Sequence, residues 1–327
     1  MKIAIIGAGI SGLSAAAALQ SAGHQVSVFD KGRGPGGRMS TRRVDIDTEQ
    51  VNFDHGAQYF TARSAPFLTQ VNAWRAQNIV ANWSGRLVSF NNQNAGMPLI
   101  NEDRFVGVPG MNAIIRHMAT GHAVGWGQQI AAIQPLDCGG YRLVSATGAI
   151  EDDYEAVIVA TPAEQAAALL APVSQPFSER AAAVISVPCW TIMAVFRTSV
   201  EWPWDGAMLA DKPLSWVARN SSKPQRPDFE TWVLQASPEW SQTHLEDAPE
   251  EVAARLLDCF EALSGAGDVL YSTAHRWRFA QPEAAPDPGP LWDPVAKIGI
   301  CGDWCSQGRI ESAWLSGQRL FADFEAS

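Results

Sequence analysis

Four apolar residues in a row, Ile3 to Ile6, make the first pattern in the chain. An uninterrupted run of this kind predicts a strand buried on both faces, not an alternating half-exposed one. Gly7, Gly9 and Gly12 follow with G-x-G-x-x-G spacing, and an alanine-rich stretch from about Ile10 to Ser21 predicts a helix that Gly23 ends. Val26, Val28 and Phe29 make a second strand closing on Asp30, 18 residues after Gly12. Strand, glycine turn, helix, strand and acid together form a dinucleotide-binding unit. Gly7 permits the tight turn, Gly9 admits a pyrophosphate and Gly12 lets helix and strand pack closely. The helix start offers N–H groups and a positive dipole end to phosphates, and Asp30 is placed for ribose hydroxyls. A secretory leader would account for Lys2 and the apolar run but not for the three glycines that follow.

Downstream, the glycine-rich and basic segment "KGRGPGGRMSTRR" forbids regular structure and brings Arg33, Arg38, Arg42 and Arg43 toward the pyrophosphate. Arg38 is the candidate for a direct phosphate contact, because a guanidinium makes paired hydrogen bonds to such oxygens. In "FDHGAQYFTAR", Gly56 lets the backbone approach something flat, and Gln58 and Tyr59 supply polar and aromatic edges. His55 in the same stretch reads more readily as a satisfied structural group than as a reacting one. A helix is expected over Pro66–Gln77, and another on the face of Asn112, Ile115 and Met118. Segments from Ala123 to Ile150, broken at 137–140 and 146–148, predict a three-stranded antiparallel meander. Residues 154–163 add a buried strand.

From Ala163 the character shifts to strands at 190–196, 215–219 and 231–236, with helices at Glu164–Leu170 and Pro249–Leu263. Residues 281–290 read as a linker. A buried strand in 297–303 and a helix in 308–324 then return to the opening pattern. The expected fold is α/β. A discontinuous Rossmann-like cofactor domain (1–63, 106–163 and 291–327) is joined to an α+β substrate domain containing an antiparallel sheet (64–105 and 164–290).

Composition narrows the function. A net charge of −10 argues against nucleic acid as the main partner, and no apolar run is long enough for a transmembrane helix. Five cysteines without a C-x-x-C pair read as thiols in a reducing, cytoplasmic compartment, with no metal site indicated. Thirteen Trp against four Tyr point to an aromatic-rich cavity as readily as to a Trp-filled core. No pattern sets an oligomeric state.

The motifs "GAGISG", "DKGRGPGGRMST", "DHGAQYFTA", "VGVPGMNAIIRHM", "HRWRFAQ" and "ICGDW" resemble the flavin-containing amine oxidase superfamily, and within it the renalases. The resemblance implies noncovalent FAD. Gly7, Gly9, Ser11, Gly12, Asp30 and Lys31 would carry its AMP half, and Ile130 would contact adenine through its backbone. Arg38, Gly56, Ala57, Gln58 and Tyr59 would lie along the pyrophosphate and flavin. Asp303 would bond the ribityl chain, and the helix start at Ile310-Glu311 would face the pyrimidine ring, where reduced flavin carries negative charge.

Two departures from the amine oxidases bear on substrate. No Cys lies between Cys259 and Cys301 to bind flavin covalently, and the strand "CWTIMAVF" lacks the lysine that many amine oxidases carry there. The renalase resemblance implies oxidation of the 2- and 6-dihydro isomers of NAD(P)H. Hydride passes to flavin N5, and oxygen takes the electrons, giving hydrogen peroxide and NAD(P)+. The partners are then a small-molecule dinucleotide and O2, with no membrane. No general base is required, and no catalytic residue is assigned. Tyr59, Trp277, Arg278 and Trp304 are candidate walls of the substrate site. An amine oxidase or desaturase acting on an amine or apolar molecule is the alternative. A non-catalytic dinucleotide sensor is a third reading, from another class.

Overall fold

The computed structural model describes residues 1–91, 94–99, 102–210, 212–283, 289, 291–306 and 308–327. The linker expected at 281–290 lies mostly outside the described residues.

The opening apolar run forms the strand Lys2–Ile6 in the middle of a six-stranded sheet. Gln25–Asp30 and Ala156–Val159 flank it in parallel, with Ile298–Ile300 beyond the second and Ala123–Trp126 beyond the first. Trp292–Asp293 closes one edge antiparallel. Ile3, Ala4 and Ile5 are fully buried, as a central parallel strand covered on both faces requires. The N- and C-terminal parts of the chain therefore share one sheet. Their helices, Ile10–Ser21 and Ile310–Glu325, pack together: Ser14 Oγ donates to the Trp314 carbonyl at 2.9 Å, and Gln318 Nε2 donates to Ser14 Oγ at 2.9 Å.

The meander consists of Ile130–Pro135, Tyr141–Ser145 and Gly148–Tyr154, all antiparallel. Its expected first segment belongs elsewhere. Ala123–Trp126 extends the parallel sheet, because pairing with Gln25–Asp30 satisfies an edge that would otherwise be open.

A seven-stranded sheet has the order Val269–Pro282, Ser186–Phe196, Thr231–Ala236, Leu214–Arg219, Gly206–Leu209, Leu87–Asn91 and Asn94–Pro98. Strand alternation gives its long member two chemistries. Trp190, Ile192, Ala194 and Phe196 pack in one cluster with Val252, Leu256 and Phe260 of the helix Pro249–Ser264. Met193 and Val195, pointing the other way, meet Ile46, Val51 and Phe53 of the hairpin Thr41–Ile46/Glu49–Asp54. This second face of the sheet covers the site.

Helices stand at Ala65–Ala76, Ala113–Ala119 and Ala163–Leu170, close to expectation. Two short ones, Gln175–Ala182 and Pro238–Thr243, were not expected. Each begins with a proline at the first turn after a serine. Ser237 Oγ caps its helix by accepting the Trp240 N–H at 3.2 Å, a start signal that a purely periodic reading passes over. No helix among the described residues is long and apolar enough to cross a membrane.

Candidate cofactor and substrate site

The first turn is built for close approach. Gly7 has φ +114°, a backbone conformation that favours glycine, and a methyl group on Gly12 would stand 2.0 Å from the Gly7 carbonyl oxygen. Gly9, by contrast, faces open space and starts the helix with no side-chain cap and no acid in its first turn. That leaves its N–H end available to an anion. Asp30 Oδ2 accepts the Ala8 N–H at 2.8 Å and Oδ1 accepts the Gly32 N–H at 2.7 Å. Each oxygen keeps lone pairs for ribose hydroxyls. Thr161 Oγ1 is buried without a hydrogen-bond partner among the described residues, and the Thr161 backbone lies against Gly7. An open glycine cradle, an uncapped helix start, an anchored acid and an unsatisfied hydroxyl fit the AMP half of FAD. Ser11 is buried beneath this turn, Lys31 is exposed beyond it, and Ile130 begins the meander.

A second cluster joins distant parts of the chain. Arg38 sits in the short turn Gly37–Met39 and Asp303 at the start of Asp303–Cys305. Their side chains form a two-pronged pair, with Nη1–Oδ2 at 2.8 Å and Nη2–Oδ1 at 2.5 Å. The structure thus brings the phosphate candidate and the ribityl candidate to one place, bound to each other. Arg38 also accepts the Ala57 N–H through its carbonyl at 2.9 Å. A methyl group on Gly56 would lie 2.1 Å from that same carbonyl oxygen, so the close approach that calls for glycine is to the Arg38 backbone. Trp277 also comes near, its ring 3.5 Å from the same point.

The seven-stranded sheet holds this loop from the other side. Gln235 Nε2 donates to the Gly56 carbonyl at 2.9 Å, and Trp277 Nε1 donates to the His55 carbonyl at 2.9 Å. The His55 ring stacks on Trp277 at 5.2 Å and meets His275 edge-on at 4.9 Å. Burial, then the neighbouring His275, pushes His55 down to about 4, and its Nδ1 has no hydrogen-bond partner among the described residues. Cys189, opposite Trp277 in register, is pushed up to about 11 by burial and stays a neutral thiol. Tyr59 lies 5.6 Å from Trp216 and 6.1 Å from Trp83, with the Arg104 guanidinium 5.5 Å over its ring.

Two substrate-wall candidates stand elsewhere. Arg278 projects from the opposite side of its strand to Trp277 and pairs with Glu246 on the exposed surface, at 2.6 and 2.8 Å. Period-two alternation places adjacent residues on opposite faces. Trp304 is only 1% exposed, and its Nε1 donates to the Thr161 carbonyl at 2.9 Å. At the last helix start, the Glu311 carboxylate accepts the backbone N–H groups of Arg63 and Ser64, with Ser64 N at 2.6 Å. Glu311 thereby ties the start of Ala65–Ala76 to Ile310–Glu325.

One charged constellation had no sequence signal. Asp54, fully buried at the end of the strand before the Gly56–Tyr59 loop, accepts Thr41 Oγ1 and the Met111 N–H on Oδ1, both at 2.8 Å. Its Oδ2 faces Arg226 Nη2 at 2.5 Å and Lys223 Nζ at 3.4 Å. Burial alone would raise the Asp54 carboxyl, but Lys223 and Arg226 hold it down to about 2. Lys223 Nζ also donates to Gln58 Oε1 at 3.2 Å and lies 5.5 Å over the Trp83 ring. Burial lowers Lys223 to about 8 against the pull of Asp54. Lys223 and Arg226 stand in a proline-rich turn after Leu214–Arg219, where neither periodicity nor spacing marks them.

Comparison with known proteins agrees with this architecture. Residues 5–71 match the NAD(P)-binding Rossmann-like domain, and residues 83–320 match the flavin containing amine oxidoreductase family. Over 45 residues the chain is 53% identical to a 4,4'-diapophytoene desaturase of Staphylococcus aureus strain Newman, a match spanning 14% of this chain and 9% of that relative. Cyclohexylamine oxidase from Brevibacterium oxydans IH-35A shares the fold with a TM-score of 0.77 at 14% identity, over 99% of both chains. Putrescine oxidase bound to putrescine does so with a TM-score of 0.71 at 15% identity, over 100% of both chains. With most of its length matched, and with a cradle that fits FAD, the chain belongs to the flavin-containing amine oxidoreductase family.

Proposed function

We propose that the protein is a renalase-like FAD-dependent oxidase of misreduced dihydronicotinamide dinucleotides, converting the 2- and 6-dihydro isomers of NAD(P)H to NAD(P)+ with release of hydrogen peroxide. One observation carries this reading: the sheet face opposite the Gly56–Tyr59 loop presents Cys189, Gln235, Trp216, His275 and Trp277, whose ionisable members burial keeps uncharged near neutrality, while the charged Lys223 and Asp54 behind the loop are engaged with each other. Amine oxidation draws on a group that can manage the amine proton, whereas a dihydropyridine is already a hydride donor and needs only to be held and kept dry. FAD, when bound, would supply the hydride acceptor and the route of electrons to oxygen. Tyr59 and Trp216 offer flat faces for a ring. Gln235 and Trp277 fix the loop backbone at Gly56 and His55. His55 stays neutral above about pH 4 and adds no charge beside the ring. In this reading the cofactor part comprises 1–63, 106–163 and 291–327, and the substrate part 64–105 and 164–290.

The trio Tyr59, Trp83 and Trp216 favours a second reading, an amine oxidase or desaturase, since aromatic faces also suit a cationic amine or an apolar chain. An anaerobic stopped-flow experiment separates the two. The yellow holoprotein is mixed with borohydride-treated NAD+, with pure 4-dihydro NADH and with amines. Bleaching of the flavin band by the 2- or 6-isomer alone is the expected result. Bleaching by amines alone moves the protein to the second reading, and a protein that takes up no FAD removes both.

A further inference from the structure

We propose that Lys223 is a positioning residue for the flavin: it fixes the Gly56–Tyr59 loop through Gln58 and sets a buried positive charge behind that loop. The inference rests on the placement of this loop along FAD, stated above. It concerns a lysine on a different element from the strand Ser186–Phe196, where a lysine is missing.

The Gln58 side chain is locked at both ends. Its Nε2 donates to the carbonyls of Asp54 and Gly56, and its Oε1 accepts from Lys223 Nζ at 3.2 Å. Gln58 thus closes a small ring over the turn, and Lys223 holds that ring shut. The lysine is itself held by Asp54 Oδ2 at 3.4 Å and by the face of Trp83. Ser222, next to it, accepts the Trp83 Nε1–H at 3.0 Å, so its own turn is pinned to the same indole. The Lys223 side chain has no exposed surface, and neither has Asp54 or Arg226. Two cations around one carboxylate leave the cluster with one net positive charge among the described residues. A lysine stem and ammonium buried only to support packing would be a poor choice, since an apolar side chain of that volume fills space without the desolvation cost. An uncompensated positive charge, shielded from water, favours an electron-rich neighbour, because the low local dielectric barely screens it.

The test uses the full-length holoprotein with Lys223→Met, Lys223→Arg and Gln58→Leu. FAD affinity is read by flavin fluorescence, and the flavin midpoint potential by equilibration with a reference dye. Lys223→Met is expected to weaken FAD binding at least ten-fold and to lower the midpoint potential. Lys223→Arg should restore the potential, because charge, not shape, sets it. Gln58→Leu should weaken FAD binding comparably, and the double variant should add little to either single one, as for residues acting through one contact. Should Lys223→Met fail to fold, the FAD affinity of Gln58→Leu carries the decision. Wild-type affinity and potential in Lys223→Met, or wild-type affinity in Gln58→Leu where the methionine variant does not fold, overturn the inference while leaving the placement of the loop intact. Failure of the wild-type chain to take up FAD overturns both.

Discussion

His55 is a residue whose surroundings decide its charge. Its carbonyl binds Trp277, its ring lies between Trp277 and His275, and burial with the second imidazole brings it to about 4 from an ordinary 6.5. The unfolded chain therefore takes up a proton at this residue before the folded chain does. Stability from His55 is complete above pH 6.5 and is lost progressively as pH falls toward 4, a loss of about 3 kcal/mol at most. Asp54 adds a lower window of the same sign, between its ordinary 3.8 and about 2. Urea unfolding from pH 7.5 to 4.5 is expected to show the first window, and His55→Phe to flatten it. None of this was legible in "DHGAQY". The motif located the loop, but its charge state depends on burial and then on His275, more than two hundred residues away in sequence. Lys223 escaped notice for the same reason: it meets Asp54 across 169 positions, and its own neighbourhood is an ordinary proline-rich turn.

At the level of elements, the two helices that cover the parallel sheet were both readable, because their strands and glycines sit beside them in sequence. How closely they touch was not. A methyl group on Gly317 would lie 2.4 Å from the Ser11 carbonyl oxygen and 2.8 Å from the Ala15 nitrogen, both backbone atoms that no rotamer change can move. Alanine in mid-helix gains about 1 kcal/mol of propensity over glycine, while overpacking costs about 1–3 kcal/mol and more when backbones must separate. The steric term wins. Gly317→Ala is expected to lower the urea midpoint and to weaken FAD retention, since Ser11 and the first turn would shift with the helix. The short helices at 175–182 and 238–243 were missed for the opposite reason. Only a serine at the cap position and a proline in the first turn mark them, Ser174 with Pro176 and Ser237 with Pro238.

Across the whole molecule, the seven-stranded sheet reaches the cofactor side through specific links that include Arg38 Nη1 to the Ala280 carbonyl, Gln235 to Gly56 and Trp277 to His55. All of them surround the proposed flavin loop, so cofactor and architecture reinforce each other. Saturating FAD at about a hundred times its Kd should stabilise the fold by about 2.7 kcal/mol. All five cysteines are free thiols, and burial raises the four whose shift is resolved (189, 259, 301 and 305). That disfavours a thioether to flavin. Acid precipitation is expected to leave all the flavin absorbance in the supernatant, and a yellow pellet would refute noncovalent binding.

The partnership of Arg38 with Asp303 has a consequence for how the protein is made. The two residues are 265 positions apart, and the strand Ile298–Ile300 that leads to Asp303 pairs with Ala156–Val159. At about 5–20 residues per second, a ribosome takes about 13–53 s to deliver the acid after the arginine. Throughout that interval the guanidinium lacks its carboxylate, and from residue 159 onward the edge of Ala156–Val159 stays open until Ile298–Ile300 arrives. The nascent chain thus spends most of its synthesis with a half-finished cradle and the later part of it with an unprotected strand edge as well. Quality control in the cell meets this protein first in that form.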